Sequence, residues 1–138
     1  MLWYNDKRKK SGDIVRRKIK SELKNLTTNE ITNHNSNCIV NQNKIKYQDN
    51  DTSYEIRIKN NEIIVIRDNS KFTHAMQFQK DKTHKSNYLL KEPDLNLELN
   101  IKTKELDIKE DKIYIKYEIL ESNNIFEYKI ELEDVLWV

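Results

Sequence analysis

Three histidines, one cysteine and a dispersed set of carboxylates are the residues of this chain with reactive chemistry to offer. His74 and His84 flank one expected hairpin and could approach each other there. A zinc site would need a third ligand converging on the pair, and no spacing supplies one. His34 stands apart in a polar stretch. Cys38 is the only cysteine, which excludes an internal disulfide and a cysteine-based zinc site. No metal and no cofactor is therefore expected. The carboxylates fall on polar positions opposite lysines, where cross-strand ion pairs account for them. An acid–base pair needs one carboxylate in an apolar setting that raises its pKa, and no acidic residue sits on an apolar face. The single glycine excludes Gly-rich phosphate loops, and no G-x-x-x-x-G-K, G-x-G-x-x-G, H-E-x-x-H or G-x-S-x-G run occurs. With no catalytic constellation visible, the chain is not expected to be an enzyme.

Binding chemistry is better represented. Tyr114, set between Lys112 and Lys116, is the aromatic best placed to stack on single-stranded nucleic acid. One such residue on a charged strand reads first as a solvated face. The side chains expected to point inward are more informative. His74, Met76, Phe78, Tyr88, Tyr117 and Tyr128 are amphipathic, adaptable or aromatic groups on strands whose other inward positions are Ile and Leu. A barrel of about eight strands either fills with side chains or holds one small ligand, and a mainly apolar lining with a few polar groups is what small-molecule sites use. These six residues are the candidate ligand-binding interior. The competing reading is a filled core whose tyrosine hydroxyls reach the rim.

The elements that must position these groups are strands. Alternation of apolar and polar residues marks a half-buried strand. Ile113, Ile115, Tyr117 and Ile119 share one face, and Phe126, Tyr128, Ile130 and Leu132 another. Leu95, Leu97, Leu99 and Ile101 repeat the pattern, as do Tyr54, Ile56 and Ile58, and Phe72, His74, Met76 and Phe78. In the first strand Val15, Ile19 and Leu23 share a face, with polar Arg17 and Ser21 between them. Turn signals separate the runs: Asn41-Gln42-Asn43, Asp49-Asn50-Asp51, Asn60-Asn61, Asp68-Asn69-Ser70, Asp81-Lys82, Glu110-Asp111 and Ser122-Asn123-Asn124. Asn and Asp tolerate the left-handed conformation of tight turns and stand in for the missing glycines. Thr103-Lys104 marks a further connection before a short run, Leu106–Ile108. Residues 28–37 are nearly all polar and read as an exposed edge strand or a mobile loop. The expected fold is all-β: a single antiparallel meander closed into a β-barrel of about eight or more strands over residues 14–138. Residues 1–13 are expected to form a flexible basic tail, with Leu2, Trp3 and Tyr4 as the groups able to dock on the barrel.

Composition and charge restrict the function classes further. At 138 residues the chain is one domain, able to bury about two-thirds of its unfolded surface. The charged fraction of 35% nearly equals the hydrophobic fraction of 36%, but a net charge of only +2 is unlike a disordered chain, which pairs low hydrophobicity with high net charge. Lys, Asn and Ile dominate as they do under A/T-rich codon usage, so the lysines alone do not signal nucleic acid. Charge is nevertheless uneven. Residues 1–26 carry nine Lys/Arg and three Asp/Glu, whereas residues 92–138 carry six and thirteen. The basic start would suit an anionic partner; alternatively the two ends lie side by side and neutralise each other, as the first and last strands of closed barrels do. The N-terminal residues have no apolar run after their charges and no stretch approaches the ~18 residues of a membrane helix, so a cytoplasmic protein with no membrane partner is expected.

The residues themselves carry a resemblance. Met76-Gln77-Phe78-Gln79-Lys80, then Tyr88, then Leu95-Asn96-Leu97-Glu98-Leu99-Asn100-Ile101-Lys102-Thr103-Lys104-Glu105-Leu106, then Ile113-Tyr114-Ile115-Lys116-Tyr117-Glu118 resemble the YwiB-like bacterial proteins. The resemblance covers residues 14–133, chiefly after residue 60. It implies a calycin-like, lipocalin-type β-barrel of unknown function that could hold a ligand, and it transfers no active site. The chain departs from the family where Leu90-Lys91-Glu92-Pro93-Asp94 replaces a Thr-Pro-Tyr-Gly turn. The function expected is binding of a small apolar or amphipathic molecule in the barrel interior. The alternative is an interaction module that engages RNA or a protein through an outer strand face or the basic N-terminal segment.

Overall fold

The computed structural model describes residues 14–134, all of them in strands or the turns between them. The strands are β1 (Ile14–Asn25), β2 (Ile31–Asn41), β3 (Lys44–Asp49), β4 (Thr52–Lys59), β5 (Glu62–Asp68), β6 (Phe72–Gln79), β7 (Thr83–Lys91), β8 (Asp94–Lys109), β9 (Lys112–Ile119) and β10 (Asn124–Asp134). Each pairs antiparallel with the next, and β1 pairs with β10, so the sheet closes into a barrel. This is the calycin-like meander that the resemblance implies. The expectations for residues 1–13, Leu2, Trp3 and Tyr4 included, lie outside the described residues. Among the described residues no helix is long and apolar enough to cross a membrane.

The turns work as the composition demands. Gln42, Asn50, Asn61, Asp81, Asp111 and Asn123 all have positive φ, between 54° and 68°, and each falls in one of the expected turn segments. Five of the six are Asn or Asp, whose short side chains reduce the cost of the left-handed region. The chain thereby turns tightly at both ends of the barrel without glycine. The turn from β7 to β8 contains a cis Glu92–Pro93 bond, at the position where the chain departs from the Thr-Pro-Tyr-Gly pattern.

Of residues 28–37, read as an exposed edge strand or a mobile loop, 31–37 form the edge-like alternative: this exposed stretch of β2 pairs with β1 alone, and only Cys38–Asn41 pair with β3 as well. One element differs from the sequence reading. There is no connection at Thr103-Lys104. β8 runs unbroken for 16 residues, with a bulge between Thr103 and Glu105 against β9. The extra residue shifts the alternation by one, so the inward series Ile101, Thr103 continues as Leu106 and Ile108.

The core is a packed cylinder of Ile19, Val40, Ile45, Ile56, Ile63, Val65, Phe78, Ile101, Ile113, Ile115 and Ile130, all nearly inaccessible. Polar groups enter it at chosen levels. Arg17, an inward position of β1, is buried and bonds Asp111 in the β8–β9 turn and Asp134 at 3.3 Å. That cluster caps the end of the barrel formed by the β2–β3, β4–β5, β6–β7 and β8–β9 turns. The basic first strand lies against the acidic last one: Lys18, Lys20 and Lys24 stand opposite Glu133, Glu131 and Glu127, and Lys20 Nζ lies 2.9 Å from Glu133. The two charge-biased ends of the chain therefore neutralise each other across the seam.

Candidate functional site

The opposite end of the barrel is built differently. Residues directly opposite on neighbouring strands point to the same face, and one such row crosses six of the ten strands. It passes from Tyr47 on β3 to Tyr54 on β4, Arg67 on β5, His74 on β6, Tyr88 on β7 and Leu97 on β8. The row starts in the interior, where Tyr47 is buried, and ends at Leu97, which is 44% exposed. Below it runs a second row, Phe72, Leu90 and Leu95, with Leu95 46% exposed. Both leucines keep the inward alternation of Ile101, yet they are uncovered. The reason is length: β9 ends opposite Ile101 and the turn after it bonds Asn100, so residues 94–99 of β8 extend past it with β7 as their ladder partner. The β7–β8 hairpin thus holds an apolar inner face out at the barrel mouth.

The middle of the row is polar and its hydrogen bonds have a fixed direction. Arg67 Nη2 lies 2.8 Å from His74 Nδ1. A guanidinium only donates, so Nδ1 is the acceptor and the imidazole is the neutral tautomer with its proton on Nε2. That proton is donated to Ser86 Oγ at 2.7 Å, and Ser86 in turn donates to the Ala75 carbonyl at 2.6 Å. Burial first, and the Arg67 charge second, push His74 down from 6.5 to about 4, in keeping with that tautomer. Ser86 also completes the sheet. The β6–β7 ladder stops after Ala75 and Asn87, and beyond it the β6–β7 turn bonds Thr103 of β8 directly, through Asp81 N–H to the Thr103 carbonyl and Thr103 N–H to the Lys82 carbonyl. The Ser86 hydroxyl supplies the bond to β6 that the ladder drops.

Arg67 is the unusual member. Its guanidinium lies 5.4 Å over the Phe72 ring, and its buried Nε–H has no protein partner. No carboxylate pairs with it among the described residues. Asp49 is taken by His34, and Asp68 accepts from Thr73 and Lys91. The ring of tyrosines beside it is similarly incomplete. Tyr47 stacks on Tyr54 with centroids 4.7 Å apart, and its buried hydroxyl makes no bond although Ser21 and Tyr128 are its neighbours. Burial raises the Tyr54 phenol, with the Arg67 charge acting the other way. A buried donor left without an acceptor costs about 1–3 kcal/mol.

The six residues expected to line an interior site divide into two groups. His74 and Tyr88 lie on the row, with ring centroids 5.0 Å apart, and Tyr88 stacks on Phe72 at 4.9 Å. Met76, Phe78, Tyr117 and Tyr128 lie in the packed core. Tyr117, 3% exposed, is held between Phe78 at 4.9 Å and Phe126 at 5.1 Å. Sequence reasoning missed Arg67 because it follows Ile63-Ile64-Val65-Ile66, a continuous apolar run in which period two assigns no face. His84 stands opposite Ile101 and His74 opposite Tyr88, so these two histidines are on different levels of the hairpin. Among the described residues no group of three metal-ligating side chains converges. Cys38 is buried and its thiol is pushed up to about 11, by burial first.

A further concavity lies elsewhere. A groove of about 910 Å³ crosses the outer face of β1 to β5, with Arg16, Ile39, Lys46, Glu55, Arg57 and Ile66 among its walls, and none of the six expected interior residues lines it. Tyr114 is half-buried and donates to Glu127 at 2.5 Å, so its ring is engaged with β10 rather than free to stack.

Known proteins agree with this architecture. The family model described as Domain of unknown function (DUF1934) matches residues 9–132. The crystal structure of the ywiB protein from Bacillus subtilis is similar over 92% of this chain and 95% of that one, with a TM-score of 0.68 and 19% identity. At that identity the likeness shows the fold. No curated protein matches the chain.

Proposed function

The chain belongs to the DUF1934 family, and we propose that it is a binding module that takes a small amphipathic molecule at the mouth of its barrel. The observation that carries this reading is the inner face of the β7–β8 hairpin, where Leu95 and Leu97 keep inward alternation but remain about half exposed. Apolar side chains on an inner face normally bury about 25 cal/mol per Å² of hydrophobic stabilisation. Here that surface is left open beside Phe72, Leu90 and Tyr88. An acyl or alkyl chain laid against it would recover the burial, and polar groups lie a few ångströms further in. Calorimetric titration with decanol, an uncharged probe, tests the reading. Binding that weakens on Leu97→Lys supports it, and no binding at all refutes it.

The outer groove favours a second reading, an interaction surface for a protein segment. Its walls mix Ile39 and Ile66 with charges of both signs, a pattern suited to a peptide rather than to RNA. Cross-linking between a cysteine placed at Gln48 and partners in the cell, lost on Ile39→Asp, would support that use.

A further inference from the structure

We infer that the molecule taken at the barrel mouth is a monoanion, an amphipathic carboxylate whose head is received by Arg67. This rests on the mouth-binding reading and adds the charge. Three observations support it.

The first is charge. Arg67 has an inward position, continuing Ile63 and Val65, and it pairs with no carboxylate among the described residues. Asp49, which acts on Tyr54, and Asp68, the next residue of β5, are held by His34 and by Thr73 with Lys91. Arg17, the arginine that is buried outright, is satisfied at the far end by Asp111 and Asp134. Arg67 is half-buried; a cation drawn part-way out of water gains from a counter-charge, and a single guanidinium with a neutral histidine calls for one negative charge.

The second is hydrogen bonding. Nη2 is committed to His74, while the buried Nε–H has no partner. A carboxylate accepts two parallel N–H bonds from a guanidinium edge, and a free Nε–H is one of those donors.

The third is continuity. Arg67 stacks over Phe72, Phe72 over Tyr88, and Tyr88 stands opposite Leu97. The side chains that lead from the cation to the open leucines are thus aromatic and aliphatic, matching a charged head followed by an apolar chain.

The test is a comparison of decanoate, decanol and decyl phosphate, titrated below their micellar concentrations at about pH 8, where the carboxylate is ionised and His74 neutral. Wild-type protein should bind decanoate about tenfold or more tighter than decanol, the factor expected of a charge-assisted hydrogen bond. Arg67→Gln should abolish that difference, read as the ratio of the decanoate and decanol dissociation constants of the same variant; Arg67→Lys should keep part of it, which separates loss of charge from loss of fold. Equal affinity of the wild type for decanoate and decanol would overturn the anion assignment and leave the mouth-binding reading standing. Tighter binding of decyl phosphate than of decanoate would overturn the monoanion. Failure of all three probes to bind would overturn both readings.

Discussion

Arg17 and Asp111 are 94 positions apart in the chain and are bonded at one end of the barrel. The pair ties the first strand to the β8–β9 turn, and Asp111 reinforces the tie by accepting the Leu132 N–H on its carbonyl at 2.9 Å. Arg17→Met should lower stability through the lost charge-assisted bonds, by only about 1–3 kcal/mol because the freed carboxylates of Asp111 and Asp134 reach solvent and rehydrate. Urea unfolding measures this. A change within about 0.5 kcal/mol, ordinary for a surface substitution, would show that the cap contributes nothing.

Stability should depend on pH through His74. Its folded pKa is lowered to about 4 from 6.5, so the unfolded chain takes up the proton first as the solution is acidified. The contribution is therefore fully present above about 6.5 and is lost between there and about 4. After allowance for solvent screening, that loss is about 2 kcal/mol. Carboxylates titrate near the lower end of this window, so the informative quantity is the difference between wild type and His74→Gln. Urea midpoints measured across the window should fall more steeply for the wild type. Parallel curves would mean that His74 is not held neutral by its surroundings.

Ser86 joins β7 to β6 where their ladder ends. Ser86→Ala leaves the His74 Nε2–H without its acceptor and removes the hydroxyl bond to the Ala75 carbonyl, at a cost of about 1–3 kcal/mol. Amide hydrogen exchange should quicken in β6 before it changes in β9. Uniform acceleration throughout the barrel would argue that the bond supports global rather than local stability.

Asn61 turns β4 into β5 with φ of 55°. Asn61→Ala should cost about 1 kcal/mol, since a Cβ-bearing residue without a short polar side chain is penalised in the left-handed region. Asn61→Gly should lie within about 0.5 kcal/mol of the wild type or exceed it. Equal stability of the Ala and Gly variants would mean that the turn relaxes to another geometry.

Much of this architecture was legible before any coordinates. β9 and β10 alternate cleanly because one face is core and the other solvent, and the Asn- and Asp-rich turns declare themselves by residue type. The illegible parts have physical reasons. β2 has hardly any apolar residues before Cys38, so its strand character comes from pairing with β1, which no local pattern reveals. The bulge after Thr103 reverses the face of Leu106 and Ile108 and imitates a connection. Leu95 and Leu97 alternate like core residues, and only the shortness of β9 leaves them open. At the site, His74 and Tyr88 were identifiable from their inward positions. Arg67 was hidden in an apolar run, and its lack of a carboxylate partner among the described residues is a property of the neighbouring strands.

The seam between β1 and β10 carries a consequence for how the barrel forms. Every other ladder joins strands adjacent in the chain and can zip from its own turn, whereas the seam must bring together residues as distant as Arg17 and Asp134. Closing so long a loop is slow and entropically costly. Until β10 arrives, β1 presents a bare row of N–H and C=O groups, the kind of edge on which a second chain can add. The lysines of β1 and glutamates of β10 attract one another over a longer range than hydrogen bonds do, so the same charges that balance in the finished barrel also draw its two free edges toward each other. High salt should therefore slow refolding and favour cross-chain pairing during it, even where it leaves the folded barrel intact.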